Sequence, residues 1–549
     1  MRGTKGSPVS SALPERLDAD YVIVGAGSAG CALAHRLAEH GQCRVLLLEA
    51  GGLDSDPGIR VPLGFARNAY NPRLAWLYET EPIPGLDNRR LVWPRGRVLG
   101  GSSAINAMIY VRGQQEDYDA WASAGCSGWS YRELLPLFQR AEGYRGGHAA
   151  DYGTQGPIGL ADPPFEHPLH DRFVEAGREL GFAYNPNFNG NGQHGVGRYQ
   201  LTVRDGCRSS AASYLRQGGR HAGLHVVTGA RVSRVLFERG RAIGVAFTRD
   251  GREHRALAQA ETILAAGAIA SPQLLQLSGI GAGALLHPLR IPVVVDQPSV
   301  GANLMDHLNV RVVMRCRGPS LNALRRSAWR QGLAGIRYLA TRRGALAGGP
   351  MTMGLFARSR ADVPTADLQL HFLAFSAAAT AGSVHAFPGM TISCVPNRPL
   401  SRGHLRIRSA DPGEAPRIVP NYLAEPSDAE TLVDGLMLAR ELFATRAFAT
   451  QAVAEMSPGA DIRTRAQWLA YGRAHAGTAF HPSGTCRMGA DGAAVVDPEL
   501  RVRGVQGLRV ADASILPSIV SGNTNAVSIL IGEKAADLLL CRGAPAPPG

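Results

Sequence analysis

Lysine is almost missing from this sequence, although its net charge is strongly positive. Of 58 basic residues only Lys5 and Lys534 are lysine, and 45 acidic residues leave a formal net charge of +13. No dense basic run accompanies an aromatic-rich strand pattern, so the charge does not indicate a nucleic-acid-binding protein. Contact of the basic surface with an anionic membrane face or an acidic partner stays open.

Long apolar runs and paired cysteines are missing too. No run of about 18 apolar residues is present, which excludes a membrane-spanning helix, and residues 1–18 lack the apolar stretch of a secretion signal. The eight cysteines form no C-x-x-C, and no Cys/His spacing is typical of zinc. We therefore expect free thiols, no metal site and a cytoplasmic protein, with peripheral contact at the inner membrane left open.

The clearest pattern lies between residues 20 and 52. Tyr21–Val24 predicts a buried parallel strand, and Gly25–Gly30 reads G-x-G-x-x-G. A helix is predicted over Cys31–His40, followed by a second apolar strand that ends at Glu49. In such a unit the glycines allow a tight turn and a close approach to pyrophosphate, and the acid accepts hydrogen bonds from a ribose. The pattern indicates a dinucleotide site and leaves NAD and FAD open.

The rest of the chain predicts at least two lobes, because 549 residues exceed one compact core. Small residues dominate Pro94–Ala107, which indicates either a loop that passes close to a ligand or a glycine-rich entry to a helix. The other predicted elements are long loops over Gly51–Pro94, two or three strands over Leu224–Phe247, a strand over Glu261–Ala266, a helix that starts at Ser271, a basic helical region within His307–Ala361, strands over Asp367–Leu373, Met390–Val395 and Gly403–Arg408, and helices over Thr431–Phe443 and Val527–Leu540.

Four stretches together resemble the glucose-methanol-choline (GMC) family of FAD oxidoreductases. They are the 20–52 unit, Gly96–Asn106, Gly267–Gly281 (GAIASPQLLQLSGIG), and the terminal pair His481–Gly489 and Asp512–Asn525. Their order along the chain matches the family. The sequences of Gly96–Gly113 and His481–Gly489 most resemble the bacterial choline-dehydrogenase-like and alcohol-dehydrogenase branch. The resemblance resolves the cofactor as FAD.

The resemblance also implies a fold of the α/β plus α+β class. A Rossmann-like FAD-binding domain with a mostly parallel sheet would carry a substrate domain whose antiparallel sheet is flanked by helices. The implied boundaries are 18–160, 224–308 and 476–541 for the discontinuous FAD-binding domain, 161–223 and 309–475 for the substrate-binding domain, and flexible tails at 1–17 and 542–549.

Site residues follow from the same resemblance. Some relatives attach FAD covalently through a histidine where this chain has Ile105, so non-covalent FAD is expected. His481 is the expected catalytic base and Asn525 the expected hydrogen-bond partner of the substrate oxygen. Independently of the resemblance, His475 is the second candidate for the base but is expected to be structural, and His371 could face the pocket but is expected to be a satisfied surface or core histidine. The residues implied in cofactor binding are Gly25, Gly27, Ser28, Ala29, Gly30, Glu49, Gly100, Gly101, Ser102, Asn106, Ala107, Val232, Asp512 and Ala513.

The implied activity is oxidation of a primary alcohol to an aldehyde by hydride transfer to flavin N5, as a dehydrogenase or oxidase. A trimethylammonium group needs a carboxylate or an aromatic cage. The resemblance implies that choline enzymes supply this carboxylate from a glutamate in the second lobe. The region of this chain that matches that segment, Gly344–Arg358, contains no acid, and none occurs from His307 to Ala361. A neutral aliphatic or aromatic alcohol is therefore favoured, with oxygen or a quinone-type redox carrier as electron acceptor. Choline dehydrogenase, and a lyase or light-driven decarboxylase on the same fold, remain alternatives.

Overall fold

The computed structural model describes residues 13–216, 221–349, 351–377 and 384–540 of the chain. Its strands, in chain order, are β1 (Arg16–Val24), β2 (Val45–Glu49), β3 (Ala75–Glu79), β4 (Val92–Gly96), β5 (Ile109–Tyr110), β6 (Glu142–Arg145), β7 (Ile158–Ala161), β8 (Gly195–Arg198), β9 (Gln200–Leu201), β10 (Val203–Arg204), β11 (Cys207–Arg208), β12 (Leu224–Thr228), β13 (Arg231–Glu238), β14 (Arg241–Arg249), β15 (Arg252–Leu264), β16 (Ile280–Gly281), β17 (Val295–Asp296), β18 (Leu308–Cys316), β19 (Met353–Ala357), β20 (Leu368–Leu373), β21 (Gly389–Pro396), β22 (His404–Arg406), β23 (Arg417–Val419), β24 (Ala452–Ser457), β25 (Gly477–Thr478) and β26 (Leu508–Val510).

The helices alternate with these strands along the chain. They are α1 (Ser28–Glu39), α2 (Pro57–Arg60), α3 (Phe65–Ala69), α4 (Gln115–Ser123), α5 (Tyr131–Ala141), α6 (Pro168–Glu179), α7 (Gly267–Leu277), α8 (Gly283–Leu286), α9 (Asn322–Arg326), α10 (Ala328–Thr341), α11 (Ala345–Gly348), α12 (Pro426–Ala444), α13 (Arg446–Ala449), α14 (Arg465–His475) and α15 (Asn525–Leu540). Within the described ranges, no helix is long and apolar enough to cross a membrane.

The first large sheet contains the predicted dinucleotide unit. Its strand order is β12-β2-β1-β15-β14-β13, with β26 also paired to β15. The pairings among β12, β2, β1, β15 and β26 are parallel, and β13, β14 and β15 are joined in antiparallel fashion. All five residues of β2 are buried, as expected for a parallel strand covered on both faces. Helix α1 packs against α15, where a Cβ at Gly532 would lie 2.2 Å from the Ala29 oxygen.

The second large sheet is antiparallel throughout. Its order is β24-β18-β21-β20-β19-β8, with β25 paired to the start of β18. Helix α12 packs against β18, β20 and β21. A Rossmann-like sheet joined to an antiparallel sheet with flanking helices confirms the predicted fold class.

Two regions fold differently from the expectation. Gly51–Pro94 was expected to form loops, yet it holds four short helical segments, and β3 pairs antiparallel with β4, where Pro94 lies opposite Leu77. Proline is tolerated there because this two-stranded ribbon has a free edge. The strand expected over Gly403–Arg408 is shorter, and it pairs with β23 in a separate ribbon instead of joining the second sheet.

Helix α7 and the chain ends also depart from the expectation. Helix α7 begins at Gly267, four residues before the predicted start at Ser271, because the distant Asp512 carboxylate accepts from the Gly267 N–H at 2.9 Å and from the Ser271 hydroxyl at 2.5 Å. The tail predicted over 1–17 overlaps β1, which begins at Arg16. The remainder of that tail up to residue 12, and the tail predicted over 542–549, lie outside the described residues. The predicted boundary between residues 160 and 161 falls inside β7.

A buried ion pair lies in the segment that follows the glycine-rich loop. The Arg112 guanidinium donates through Nε and Nη2 to the two carboxylate oxygens of Glu142, at 2.8 and 2.7 Å. The Tyr110 hydroxyl and the Asn189 carbonyl complete the network at 2.6 and 3.1 Å. Both charged side chains are at most 1% exposed, and the carboxylate raises the pKa of Arg112. The pair therefore fixes this segment inside the core.

Candidate functional site

A cavity of about 570 Å³ lies between the two large sheets. The ends of β1 and β2, the first turns of α1 and α7, and side chains of β18, β20 and β21 form its walls. Most of the predicted site residues line it: Gly25, Gly27, Ser28, Ala29, Glu49, Gly101, Ser102, Asn106, Ala107, Val232, His481, Asp512, Ala513 and Asn525.

Gly30 and Gly100 do not line the cavity, and close packing explains them. A Cβ at Gly30 would lie 1.9 Å from the Gly25 oxygen, so any other residue would push α1 away from the turn. A Cβ at Gly100 would lie 3.1 Å from the Ser210 hydroxyl oxygen. Gly25 itself has φ +102°, a conformation that permits the tight turn between β1 and α1.

The start of α1 fits a pyrophosphate. Gly27 is its N-cap and offers no side chain, so the N–H groups of the first turn are left without a capping partner beside the cavity. Such N–H groups and the positive end of the helix dipole favour an anion. The Ser28 hydroxyl on this turn donates to the Asn525 side-chain oxygen at 2.8 Å, which joins the last helix of the chain to the nucleotide site.

Glu49 lies at the end of β2, where the unit places a ribose-binding acid. Its two carboxylate oxygens accept from the N–H groups of Ala26 and Gly51, at 2.9 and 2.8 Å. Burial raises its pKa to about 7, and these two backbone bonds act in the opposite direction. Each oxygen keeps a lone pair for a ribose hydroxyl, so the side chain fits the predicted role.

The glycine-rich loop and Asp512 meet near the middle of the cavity. The Asn106 side-chain oxygen accepts from the Met108 N–H at 3.1 Å and from Arg208 at 2.7 Å, which fixes the end of the loop. Asp512 accepts from the Ser514 N–H at 2.8 Å in addition to its two bonds with the start of α7. Burial raises its pKa. Its hydrogen bonds join the start of α7 to the turn that follows Asp512.

At the other end of the cavity, two histidines form a hydrogen-bonded chain. His307 Nε2 lies 2.9 Å from the Asn397 carbonyl, and its Nδ1 lies 3.0 Å from Nδ1 of His481. Burial lowers the pKa of His307 to about 4 and that of His481 well below the usual 6.5, so both rings are neutral near pH 7. A carbonyl only accepts, so the His307 proton is on Nε2. The His481 proton is then on Nδ1, which leaves Nε2 with a lone pair.

Asn523, a residue that the sequence analysis did not select, is the partner of that lone pair. Its side-chain nitrogen lies 3.2 Å from Nε2 of His481, and its oxygen accepts from Gln369 at 3.3 Å. Asn525, which was predicted to bind the substrate oxygen, accepts a hydrogen bond from the Ser28 hydroxyl in the nucleotide half. Asn523 and Asn525 lie on either side of Thr524 in the sequence. The one local feature that distinguishes them is that helix α15 begins at Asn525.

Two other histidines were expected to be structural, and the structure places them in different surroundings. His475 is exposed and stacks on Tyr471, with 4.5 Å between the ring centroids. His371 instead lines the cavity, where burial lowers its pKa to about 3, and it contributes to the lowered pKa of His481.

The charges that line this end of the cavity are all positive. Arg95, Arg311 and Arg325 line it, together with apolar side chains that include Met351, Leu373 and Phe375. Three described lining residues carry a carboxylate. Glu49 and Asp512 lie at the predicted nucleotide site. Glu414 lies at the same end, two residues after Pro412, whose carbonyl accepts from Arg231, the neighbour of Val232. Histidine bases and guanidinium groups therefore surround the substrate end without a lining carboxylate.

Comparison with known proteins places the chain in a family. Two GMC oxidoreductase models match residues 19–309 and 399–532. The chain is 43% identical to the mitochondrial choline dehydrogenase of Homo sapiens over 547 residues, 98% of this chain and 92% of that protein. It is 40% identical to the alcohol dehydrogenase [acceptor] of Pseudomonas putida over 526 residues, 95% of each chain.

Solved structures agree with these matches. Pyridoxine 4-oxidase from Mesorbium loti is 31% identical, with a TM-score of 0.86 over 94% of this chain and 98% of that one. A formate oxidase variant of Aspergillus oryzae RIB40 is 26% identical, with a TM-score of 0.90 over 96% and 99%. The resemblance inferred from the four sequence stretches is confirmed: the chain belongs to the GMC oxidoreductase family of FAD-dependent enzymes that act on CH–OH groups.

Proposed function

We propose that this protein oxidises a primary alcohol to an aldehyde, with His481 as the base that removes the hydroxyl proton. The observation that carries the proposal is the neutral His481 ring with its Nε2 lone pair at the cavity wall. A neutral imidazole in hydrogen-bond reach of an alcohol is a suitable general base.

The neighbouring side chains prepare His481 for this step. His307 keeps the proton of His481 on Nδ1, and the Asn397 carbonyl fixes His307 in turn. The Nε2 lone pair, which accepts from the Asn523 amide in this structure, becomes available to a substrate hydroxyl that displaces this amide. The Asn523 amide is placed to donate to the substrate oxygen as negative charge develops on it. FAD, held by the nucleotide half of the cavity, supplies the acceptor for the hydride that leaves the alcohol carbon.

Anaerobic reduction of the flavin is the direct test of this function. Under argon, addition of a substrate alcohol is expected to bleach the oxidised flavin in the purified holoenzyme, and oxygen or a quinone analogue is expected to restore the colour. A lyase or a light-driven decarboxylase of the same fold would leave the flavin oxidised in the dark. A broad alcohol panel without any bleaching would refute the proposal.

We expect the FAD to be bound without a covalent link. No histidine occurs from Pro94 to Gly113, and the cavity-lining Ile105 carries no nucleophile. Acid or heat denaturation should therefore release FAD into the supernatant, where its fluorescence and chromatographic mobility identify it. Flavin that stays with the precipitated polypeptide would contradict this prediction.

Choline is the main alternative substrate, because relatives are named choline dehydrogenase. The guanidinium groups at the substrate end would repel a trimethylammonium group, and no carboxylate among the described lining residues there replaces its water. We therefore propose an alcohol without positive charge, and the sequence analysis favours a neutral aliphatic or aromatic one.

A substrate comparison tests this choice. The values of kcat/KM for 1-butanol, 1-octanol and benzyl alcohol are expected to exceed that for choline, measured with one electron acceptor under the same conditions. If choline is preferred by tenfold or more, the charge of the substrate end has been misread and the protein is a choline dehydrogenase.

A further inference from the structure

Arg311 is the one cavity-lining arginine whose surroundings call for an explanation beyond the reaction itself. It lies on β18 and lines the cavity, so its side chain is open to solvent through the cavity although protein atoms surround it on the other sides. Among the described residues, no side chain or carbonyl forms a hydrogen bond or ion pair with its guanidinium. The sequence segments 217–220, 350 and 378–383, which fall outside the description, contain no acid.

A charge in such a place is costly without a partner. Arg112, buried in the same protein, is paired with Glu142 through two hydrogen bonds. Arg95 also lines the cavity, but its guanidinium donates to the carbonyls of Pro94 and Phe480 at 2.6 and 2.8 Å. Burial lowers the pKa of Arg311, and the tyrosines that interact with it, Tyr70 and Tyr471, carry no charge near pH 7.

The position of Arg311 relative to the reacting end follows from the strand register. Arg311 and His371 both pair with Ser393 of β21, from opposite sides. Two strand spacings separate them, which corresponds to about 10 Å between their Cα atoms. Arg311 therefore lies on the same cavity wall as His371, whose electrostatic effect reaches His481 at the reacting end.

We propose that Arg311 binds a carboxylate at the far end of the substrate, so that the preferred alcohols are ω-hydroxy acids or hydroxymethyl-substituted aromatic acids. The inference rests on the proposed alcohol oxidation and replaces the neutral alcohol with an anionic one. The planar guanidinium donates two parallel hydrogen bonds to a carboxylate. Met351, Leu373 and Phe375 line the same end and suit the carbon skeleton between the hydroxyl and the acid.

Matched substrates test the proposal in the wild-type holoenzyme. We compare 4-(hydroxymethyl)benzoate with benzyl alcohol, and 6-hydroxyhexanoate with 1-hexanol. Each acid is expected to have a kcat/KM about 10- to 100-fold higher than its neutral counterpart, mainly through a lower KM, because a hydrogen bond to a charged group contributes within that range. Equal values for acid and neutral alcohol would overturn the inference, while leaving the proposed alcohol oxidation intact.

Variants of β18 assign the preference to one side chain. Arg311→Gln is expected to abolish the advantage of the acids, and Arg311→Glu to shift the preference toward choline. Arg315→Gln is the matched control, since Arg315 is an exposed residue four positions along the same strand and does not line the cavity. An equal loss in the Arg315 variant, or loss of FAD from the Arg311 variants, would overturn the assignment.

A binding measurement keeps the inference testable if no alcohol reduces the flavin. 4-Methylbenzoate has the carboxylate without the hydroxyl, so it binds without turnover. It is expected to perturb the flavin spectrum of the wild type, with a dissociation constant that rises about 10- to 100-fold in Arg311→Gln. Failure of alcohol oxidation with intact binding would refute the proposed function alone. No binding, or equal binding in both proteins, would refute the role of Arg311.

Discussion

His481→Ala is expected to retain FAD and to slow flavin reduction by about 10²- to 10⁴-fold, the usual contribution of a general base. The loss follows from removal of the Nε2 lone pair, which no other described side chain replaces in the same position. Stopped-flow absorbance under anaerobic conditions measures the rate directly. His475→Ala is the control, because His475 is exposed and stacked on Tyr471 outside the cavity. An unchanged reduction rate in His481→Ala would refute the assignment of the base.

The two asparagines near His481 make the same experiment more specific. Asn523→Ala is expected to slow flavin reduction with FAD still bound, because the lost amide hydrogen bond costs several kcal/mol at most. Asn525→Ala is expected to weaken FAD retention instead, since its side chain bonds to Ser28 at the start of α1. If Asn525→Ala impaired reduction and Asn523→Ala did not, the sequence-based pairing would be right after all.

Arg112→Ala is expected to destabilise the holoenzyme by about 3–5 kcal/mol, because it leaves the fully buried Glu142 carboxylate without its cation. Urea unfolding followed by tryptophan fluorescence measures the change. Arg172→Ala is the control, since Arg172 forms an exposed pair with Glu175, with side chains 45% and 54% exposed. Exposed pairs of this kind contribute little. Similar unfolding midpoints for the two variants would contradict the importance of the buried pair.

Local patterns predicted the secondary structure of the first nucleotide-binding unit well. Tyr21–Val24, the glycine turn and the acid at Glu49 are adjacent in sequence, so their periodicity and turn chemistry report their structure directly. The structure extends β1 backward to Arg16 and starts α1 at Ser28, three residues before the predicted start at Cys31. Such shifts at element ends are expected where caps decide the boundary.

Interactions between distant residues explain what the sequence could not predict. The start of α7 depends on Asp512, which follows Gly267 by 245 residues. The distinction between Asn523 and Asn525 depends on His481 and Ser28, which lie on different segments. Arg311 lies in the basic, acid-free stretch His307–Ala361, and nothing in that stretch predicts which of its arginines faces the cavity. The position of Arg311 beside His371 on the cavity wall follows only from the register of β18 and β20 through Ser393.

The discontinuous first sheet has a consequence for the order of events during synthesis. Strand β1 precedes its partner β15 by more than 200 residues, and β26 ends only at Val510. At about 5–20 residues per second, on the order of a minute passes before β26 leaves the ribosome. Helix α15, which packs on α1 and begins with Asn525, is later still. FAD can therefore meet its complete site only after α15 has been synthesised, and the nascent chain must keep the apolar edge of β15 from aggregating until then.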